Sequence, residues 1–311
     1  MSEKYVHANG IRLAYEEFGE PARPAMVLMM GLGTQLIGWP IAMCEGLAAR
    51  GFRVIRFDNR DIGLSEKMEN AHIPQAATLM LRSKLRLPLN VPYTLTDMAR
   101  DMTGLLDALD IDRAHLVGAS MGGMIGQIVA AKFGERLISF TSIMSSSGNP
   151  KIPMAKPDVV LAMVKRSLGI EKVTLENTMA YWRKIGSPGY QPSDEDLKKK
   201  ILDSYYRSNY PQGYSRHMAA VLASGSRVKL LKQITTPTLV IHGRDDALVS
   251  VEGGIDTARH IYGAKLEIFD GMGHDLPKAL LPDFIELIAT HANESQAGMG
   301  SGLELKRYRF G

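Results

Sequence analysis

A serine between glycines is the first candidate for a chemical role. Residues 118–122 read Gly-Ala-Ser-Met-Gly, with Ser120 at the centre. The apolar run before this motif is typical of a buried strand, and the apolar residues after it recur at helical spacing. In such a strand-to-helix turn, glycines keep side chains away, the serine hydroxyl stands clear, and the helix N-terminus offers free N–H groups to a negatively charged oxygen. The pattern predicts that Ser120 is a nucleophile.

A serine hydroxyl needs a base to accept its proton, and the base needs a third group to orient it. Among the eight histidines, His274 is our candidate for the base. It lies in a glycine-rich loop directly after the last predicted strand, where open α/β sheets place their ligands. The histidines on predicted helices are interpreted as surface or packing residues; they are His217, His260 and His291.

The acid of such a site is expected between the serine and the histidine in chain order. Residues 242–246 read His-Gly-Arg-Asp-Asp and follow the penultimate predicted strand. We select Asp246. Asp245 remains the alternative, with a loop cap or an ion pair to Arg244 as its other role. Residues 144–148, which follow the preceding strand, contain no carboxylate.

Two kinds of pattern alternate along most of the chain. An Asn-Gly pair at residues 9–10 predicts a hairpin over 5–15. Short apolar runs then predict buried strands; they cover 25–30, 52–58, 114–119, 137–145, 238–242 and 265–270. Helical patterns cover 39–50, 94–109, 251–260 and 279–292. This alternation predicts an α/β fold with a mostly parallel eight-stranded sheet, antiparallel at its start and flanked by helices.

The alternation breaks between residues 149 and 233, where four helical patterns occur without a strand pattern. They cover 158–168, 175–185, 193–209 and 214–224. We expect this insert, which follows strand 6, to fold over the strand ends as a helical cap. Residues 1–148 and 234–292 then form the core, and 293–311 a flexible tail. A smaller excursion over 66–92 carries an amphipathic stretch at 80–87, which we expect at the mouth of the site.

Composition limits the partners of the protein. A hydrophobic content of 45%, a charged content of 23% and a net charge of +4 are typical of a globular protein. The lysines at 198–200 follow acidic residues by four positions, as on a solvated helix face rather than a nucleic-acid surface. No stretch approaches the ~18 apolar residues of a membrane span, and a single cysteine permits no disulfide framework.

We therefore expect a cytoplasmic protein that acts on a small molecule, without a nucleic-acid or membrane partner. Its oligomeric state stays open, with a homodimer as one option.

These motifs, together with three further segments, resemble the α/β-hydrolase fold serine esterases over about residues 3 to 292. The segments are Met-Gly-Leu-Gly at 30–33, Gly-Trp-Pro at 38–40, and Phe-Asp-Asn-Arg-Asp-Ile-Gly-Leu-Ser at 57–65. The resemblance is greatest to the aclacinomycin methylesterase-like branch. It implies that the backbone N–H groups of Leu32 and Met121 form an oxyanion hole. The family usually has histidine where this chain has Met30, but side chains do not supply those donors.

The sequence thus predicts a serine hydrolase that cleaves carboxylic esters through an acyl-enzyme, without a cofactor or a metal. A lactonase is a near alternative, because a lactone is a cyclic ester. A ligand-binding, receptor-like member of the fold with little turnover is the alternative from a different class. We assign Gly31, Trp39, Met144 and Met272 to substrate binding. The methionines among them also fit simple core packing, and their other interpretation is an adaptable apolar acyl pocket.

Overall fold

The computed structural model describes residues 3–72, 78–79, 81–82, 85, 87, 89–153, 155–167 and 174–301. Within these residues, eight strands form one sheet: β1 Lys4–Ala8, β2 Ile11–Phe18, β3 Ala25–Met29, β4 Arg53–Phe57, β5 Ala114–Ala119, β6 Leu137–Ile143, β7 Thr238–Gly243 and β8 Lys265–Phe269. Their spatial order is β1-β2-β4-β3-β5-β6-β7-β8. β2 pairs antiparallel with β1 and β4, and the remaining neighbours are parallel. The prediction of a mostly parallel sheet with an antiparallel start is confirmed.

The helices in the described residues are α1 Ile41–Ala49, α2 Leu95–Ala108, α3 Met121–Lys132, α4 Pro157–Ser167, α5 Leu175–Ile185, α6 Asp194–Arg207, α7 Pro211–Ser224, α8 Val228–Leu231, α9 Val251–His260 and α10 Leu281–Ser301. Short 3₁₀ turns cover Leu36–Gly38, Gly134–Arg136, Pro188–Tyr190 and Lys278–Leu280. α2 begins with the capping box that Thr94 and Asp97 form, in which each side chain accepts from the other residue's backbone N–H. No described helix combines the length and the apolar character needed to cross a membrane.

The core lies on both faces of the sheet, because strand residues alternate in direction. Val27 and Met29 of β3 join one cluster with residues of α2, α3 and α9. Met26 and Leu28 join the other cluster with residues of α1 and α10. Both faces of the central parallel strands are therefore buried, which is why these strands read as continuous apolar runs in the sequence.

The four helices α4 to α7 lie between β6 and β7 in the chain, as the sequence predicts for the insert. The short helix α8 instead packs against α3 and α9, and its Leu231 belongs to the core. The two connections of the insert touch, since a Cβ on Gly148 would overlap the carbonyl of Gly225. We infer that the cap ends near Gly225, before the predicted boundary at residue 233.

Some predicted segments extend beyond the described residues. The amphipathic stretch at 80–87 includes residues 80, 83, 84 and 86, which lie outside them, as does residue 168 at the end of the first insert helix. α10 continues through residues 293–301, which the sequence analysis assigned to a flexible tail. The rest of that predicted tail, 302–311, lies outside the described residues.

Gly122 provides a test of how closely α3 approaches the sheet. A Cβ at this position would overlap the backbone carbonyl of Met29 in β3. We expect Gly122→Ala to lower the free energy of unfolding by ~1–3 kcal/mol, because the helix must shift away from the strand. Gly134→Ala is the matched control, since its new methyl group would meet only the Thr236 hydroxyl, at 3.3 Å. Urea unfolding of both variants measures the difference, and an equal effect of the two substitutions would contradict the close approach.

Candidate active site

Ser120 occupies the turn between β5 and α3. The strand ends at Ala119 and the helix begins at Met121, so this one residue makes the change of direction. Its φ of 54° lies in the left-handed region, which is uncommon for a residue other than glycine. Its N–H donates to the carbonyl of Ile143 at the end of β6, at 2.9 Å. The side chain is thereby presented, half-buried, at the N-terminus of α3.

The motif requires glycine at both ends because neither position has room for a side chain. A Cβ on Gly118 would overlap the carbonyl of Gly122, and a Cβ on Gly122 would overlap that of Met29. Any side chain at either position would push the helix from the strand. The sequence interpretation of these glycines as clearance for the turn agrees with this packing.

His274 lies between the serine and an acid. The Ser120 hydroxyl lies 2.9 Å from Nε2 of His274, and Nδ1 of the same ring lies 2.7 Å from Oδ2 of Asp246. With the ring proton on Nδ1, the imidazole donates to the carboxylate and accepts from the hydroxyl. His274 is 7% exposed and Asp246 is 6% exposed. Three side chains that are distant in the chain therefore form one continuous line of hydrogen bonds.

Asp246, rather than its neighbour Asp245, makes this contact. Its Oδ1 accepts from the N–H groups of Leu248 and Val249, at 2.9 and 2.8 Å. Burial alone would raise the pKa of Asp246. The charge of His274 and the hydrogen bonds from His242 and His274 outweigh burial and lower this pKa to about 2. The carboxyl group is therefore ionised at neutral pH.

Asp245 has a different environment. It is exposed, and its Oδ2 accepts from the N–H of Gly271, at 2.9 Å. The neighbouring Arg244 pairs with Asp270 rather than with Asp245. The role of a loop cap, which the sequence analysis gave as an alternative for Asp245, describes this contact.

The end of α5 and the residues that follow it bind the histidine loop from the side of the insert. The N–H of His274 donates to the carbonyl of Ile185 at 2.7 Å, and the N–H of Gly273 donates to the hydroxyl of Ser187 at 2.8 Å. The same hydroxyl donates to the carboxylate of Asp275, which also accepts from the Ser187 N–H at 3.0 Å. Ser187 is fully buried. The backbone of Gly273 and His274 and the side chain of Asp275 are thus bonded to residues of the insert.

Residues 31–34 form a turn beside Ser120. The N–H of Thr34 donates to the carbonyl of Gly31 at 3.2 Å, and Gly33 has a φ of +67°. A Cβ on Gly31 would lie 3.0 Å from Cβ and 3.5 Å from Oγ of Ser120, so only hydrogen fits comfortably there. Leu32 follows Gly31 in this turn, and Met121 follows Ser120 at the start of α3. The predicted oxyanion donors therefore directly follow Gly31, which packs against the Ser120 side chain, and Ser120 itself.

The other residues assigned to substrate binding are mostly buried. Trp39 and Met272 have no exposed surface and belong to the core cluster on the α1 and α10 face of the sheet. Met144 directly follows β6, is 5% exposed and has a φ of 43°. A direct contact of Trp39 or Met272 with substrate would require either side chain to become exposed. Their part in binding stays a prediction.

Three residues at the site were not singled out for it in the sequence analysis. Ser187 lies in a Gly-Ser-Pro-Gly connection between two predicted helices, which could have drawn attention as a polar turn. Asp275 directly follows His274. The sequence predicts a surface or packing role for His217. In the structure it is buried beside the 31–34 turn.

No group of three or more His, Cys, Asp or Glu side chains in the described part of the chain is arranged to hold a metal ion.

Comparison with known proteins agrees with this architecture. Residues 24–277 match the family described as the alpha/beta hydrolase fold. The chain belongs to this family. It is 27% identical to the rhodomycin D methylesterase DauP of Streptomyces sp. (strain C5), over 94% of this chain and 98% of that protein. The fold and the resemblance to a methylesterase branch, both predicted from the sequence, are confirmed.

Two enol-lactonases are also similar to this hydrolase. The 3-oxoadipate enol-lactonase 2 of Acinetobacter baylyi is 27% identical over 85% of this chain and 86% of that protein. The crystal structure of the enol-lactonase from Burkholderia xenovorans LB400 superposes with a TM-score of 0.69 at 25% identity. The superposition covers 93% of this chain and 100% of the enol-lactonase chain.

The contact between Ser187 and the histidine loop can be tested by removing one hydroxyl. We expect Ser187→Ala to lower the free energy of unfolding by ~1–3 kcal/mol, because the Gly273 N–H loses its acceptor in a buried place. Ser215→Ala is the control. Its hydroxyl makes an exposed bond to the carbonyl of Pro211, and we expect a change within about 0.5 kcal/mol. Urea unfolding of the two variants measures this difference in stability. A Ser187 variant as stable as the control would contradict the contact.

The lowered pKa of Asp246 predicts how its contribution to stability depends on pH. A carboxyl group with a pKa of about 2 in the folded protein and an ordinary value of 3.8 stabilises the folded state above pH 4. This contribution, ~2 kcal/mol, decreases as the pH falls toward 2. The difference in unfolding free energy between the wild type and Asp246→Asn should therefore be ~1 kcal/mol smaller at pH 3 than at pH 5. Urea titrations of both proteins at each pH measure this difference in unfolding free energy. A difference that widens at pH 3 would contradict the lowered pKa.

Proposed function

We propose that the protein is a serine hydrolase that cleaves carboxylic esters, with Ser120 as nucleophile, His274 as base and Asp246 as the orienting acid. The observation that carries the proposal is the line of hydrogen bonds through these residues, which begins at a serine in a strained turn. A hydroxyl alone is a weak nucleophile at neutral pH, and an adjacent oriented imidazole is what activates it.

The reaction follows from this geometry in two halves. Ser120 Oγ bonds to the ester carbonyl carbon while its proton moves to Nε2 of His274. The bond to the leaving alcohol then breaks, and the alcohol departs with that proton. Water enters, gives a proton to Nε2 and bonds to the acyl carbon. Oγ leaves with the proton from Nε2, so that acid and free serine are released.

In both halves the carbonyl oxygen becomes negatively charged. We assign its stabilisation to the backbone N–H groups of Leu32 and Met121, the latter at the N-terminus of α3. Such a donor contributes ~3 kcal/mol to transition-state stabilisation. Asp246 is ionised and accepts from Nδ1, so it keeps the ring in the tautomer that receives the serine proton and stabilises the imidazolium.

The similarity to rhodomycin D methylesterase over nearly the whole chain favours a methyl ester as the substrate class to test first. The similarity to two enol-lactonases favours a lactone as the second candidate. The same catalytic groups serve both, because a lactone is an ester whose alcohol remains tethered. The choice between them depends on the space around the acyl and alcohol groups.

Ser120→Ala is the direct test. We expect the wild type to react with a fluorophosphonate and to hydrolyse p-nitrophenyl acetate. We expect the variant to be unlabelled and to lose ~10³-fold or more in kcat, because only binding and the oxyanion donors remain. Ser145→Ala, which alters a neighbouring serine bonded to the Ser120 carbonyl, controls for general disturbance. A panel of methyl esters and lactones of matched acyl length then identifies the preferred class.

Failure of the wild type to take up the label would overturn the hydrolytic proposal and favour a ligand-binding protein.

A further inference from the structure

His217 of α7 is a buried histidine at the boundary between the insert and the core. It has no exposed surface. One ring nitrogen, Nε2, lies 2.8 Å from the carbonyl oxygen of Arg60, and the other, Nδ1, lies 3.3 Å from the N–H of Gly33. A carbonyl oxygen can only accept a hydrogen bond, so Nε2 must carry the proton. Nδ1 is then an acceptor, as the Gly33 N–H requires. A single neutral tautomer satisfies both contacts.

The environment of His217 favours that neutral form. Burial lowers the pKa of His217 to about 4, and the charges of Arg60 and Arg216 act in the same direction, while Asp61 and the bond to the Arg60 carbonyl oppose them. At neutral pH the lone pair on Nδ1 is therefore available. The ring of Tyr93 packs edge-on against the imidazole, with centroids 6.3 Å apart.

Helix α7 holds His217 in a fixed position relative to the core. The adjacent Arg216 forms a two-pronged ion pair with Asp61, with distances of 2.8 and 3.0 Å. Both side chains are fully buried. One turn earlier, Gly213 packs so closely on the loop that a Cβ would overlap the carbonyl of Asp61. The imidazole is thus presented by a helix whose backbone and neighbouring side chain are both anchored to the loop after β4.

The turn at 31–34 has its peptide groups fixed from two sides. The Gly31 carbonyl accepts from Thr34, and the Gly33 N–H donates to His217. Leu32 lies between these two contacts. In a trans peptide the C=O and N–H groups point in opposite directions, so the direction of the Gly31 carbonyl sets that of the Leu32 N–H. The Leu32–Gly33 peptide is the middle one of this turn, and the positive φ of Gly33 corresponds to a type II turn. The bond from its N–H to His217 therefore anchors to the insert the turn that carries the Leu32 N–H.

We propose that His217 is a positioning residue for the oxyanion hole: its Nδ1 holds the Gly33 N–H and so keeps the Leu32 N–H directed at the reacting oxygen. The proposal rests on the hydrolytic function assigned to Ser120. It gives the insert a part in transition-state stabilisation as well as in covering the site. His217 touches neither substrate nor reacting atoms, and it acts only through the turn.

Two substitutions separate the contacts of the ring. In His217→Asn the amide oxygen can take the place of Nδ1 and accept from Gly33. In His217→Gln the amide nitrogen can take the place of Nε2 and donate to Arg60, but no acceptor remains near Gly33. We expect kcat of the Gln variant to fall ~10- to 100-fold with KM nearly unchanged, since an oxyanion donor acts in the transition state. The Asn variant should keep kcat within about threefold of the wild type, because it retains an acceptor for the Gly33 N–H.

The measurement is kcat on p-nitrophenyl acetate per active site, with sites counted by fluorophosphonate titration so that misfolded molecules do not contribute. His291→Gln is the matched control. His291 is also a buried histidine whose Nε2 bonds a backbone carbonyl, that of Pro237, and it lies on α10. We expect this variant to lose stability without losing kcat per site. Equal kcat in both His217 variants, whether high or low, would overturn the proposal.

If the wild type shows no turnover that depends on Ser120, this result would overturn the proposed function and, with it, the role of His217.

A second measurement needs no variant. Long-range ¹H–¹⁵N spectra of the unsubstituted protein report which ring nitrogen carries the proton. A proton on Nε2 of His217 at pH 7 supports the acceptor role of Nδ1. A proton on Nδ1 would overturn the proposal even if His217→Gln failed to fold.

Discussion

The line of hydrogen bonds from Ser120 through His274 to Asp246 is the interaction on which the rest of the site depends. Its two links measure 2.9 and 2.7 Å, and such bonds weaken steeply when distance or angle changes. The loops after β5, β7 and β8 must therefore keep a fixed relation to one another. Parallel pairing supplies part of this relation, because it brings the carboxyl ends of these strands to the same edge of the sheet.

The insert supplies much of the remaining constraint. It binds the histidine loop through the Ile185 carbonyl and Ser187, and it binds the loop of Asp246 through the Lys156 N–H, which donates to the carbonyl of Ala247 at 2.9 Å. It reaches the 31–34 turn through His217. A segment that contacts the histidine loop, the loop of Asp246 and the 31–34 turn belongs to the framework of the site.

Most of the fold was predictable because its signals are local. The central parallel strands are buried on both faces, so an apolar run of five to seven residues marks each of them without knowledge of its neighbours. The glycines around Ser120 likewise mark a turn from adjacent residues alone. The site was predictable only in part. Sequence offered two adjacent aspartates, of which we select Asp246 with Asp245 as the alternative. The folded loop directs Asp246 at the imidazole, while Asp245 turns to Gly271.

The sequence by itself determined the kind and order of the elements and the turn that carries Ser120. These depend on backbone preferences and on apolar spacing over a few residues. The tertiary structure alone decided that His217 and Ser187, which look like ordinary polar residues of a helix and a turn, are buried against the site. Their partners lie 184 and 88 positions away in the chain. A hydrogen bond between such distant residues exists only once the helices of the insert have packed on the sheet, so no local pattern could reveal it.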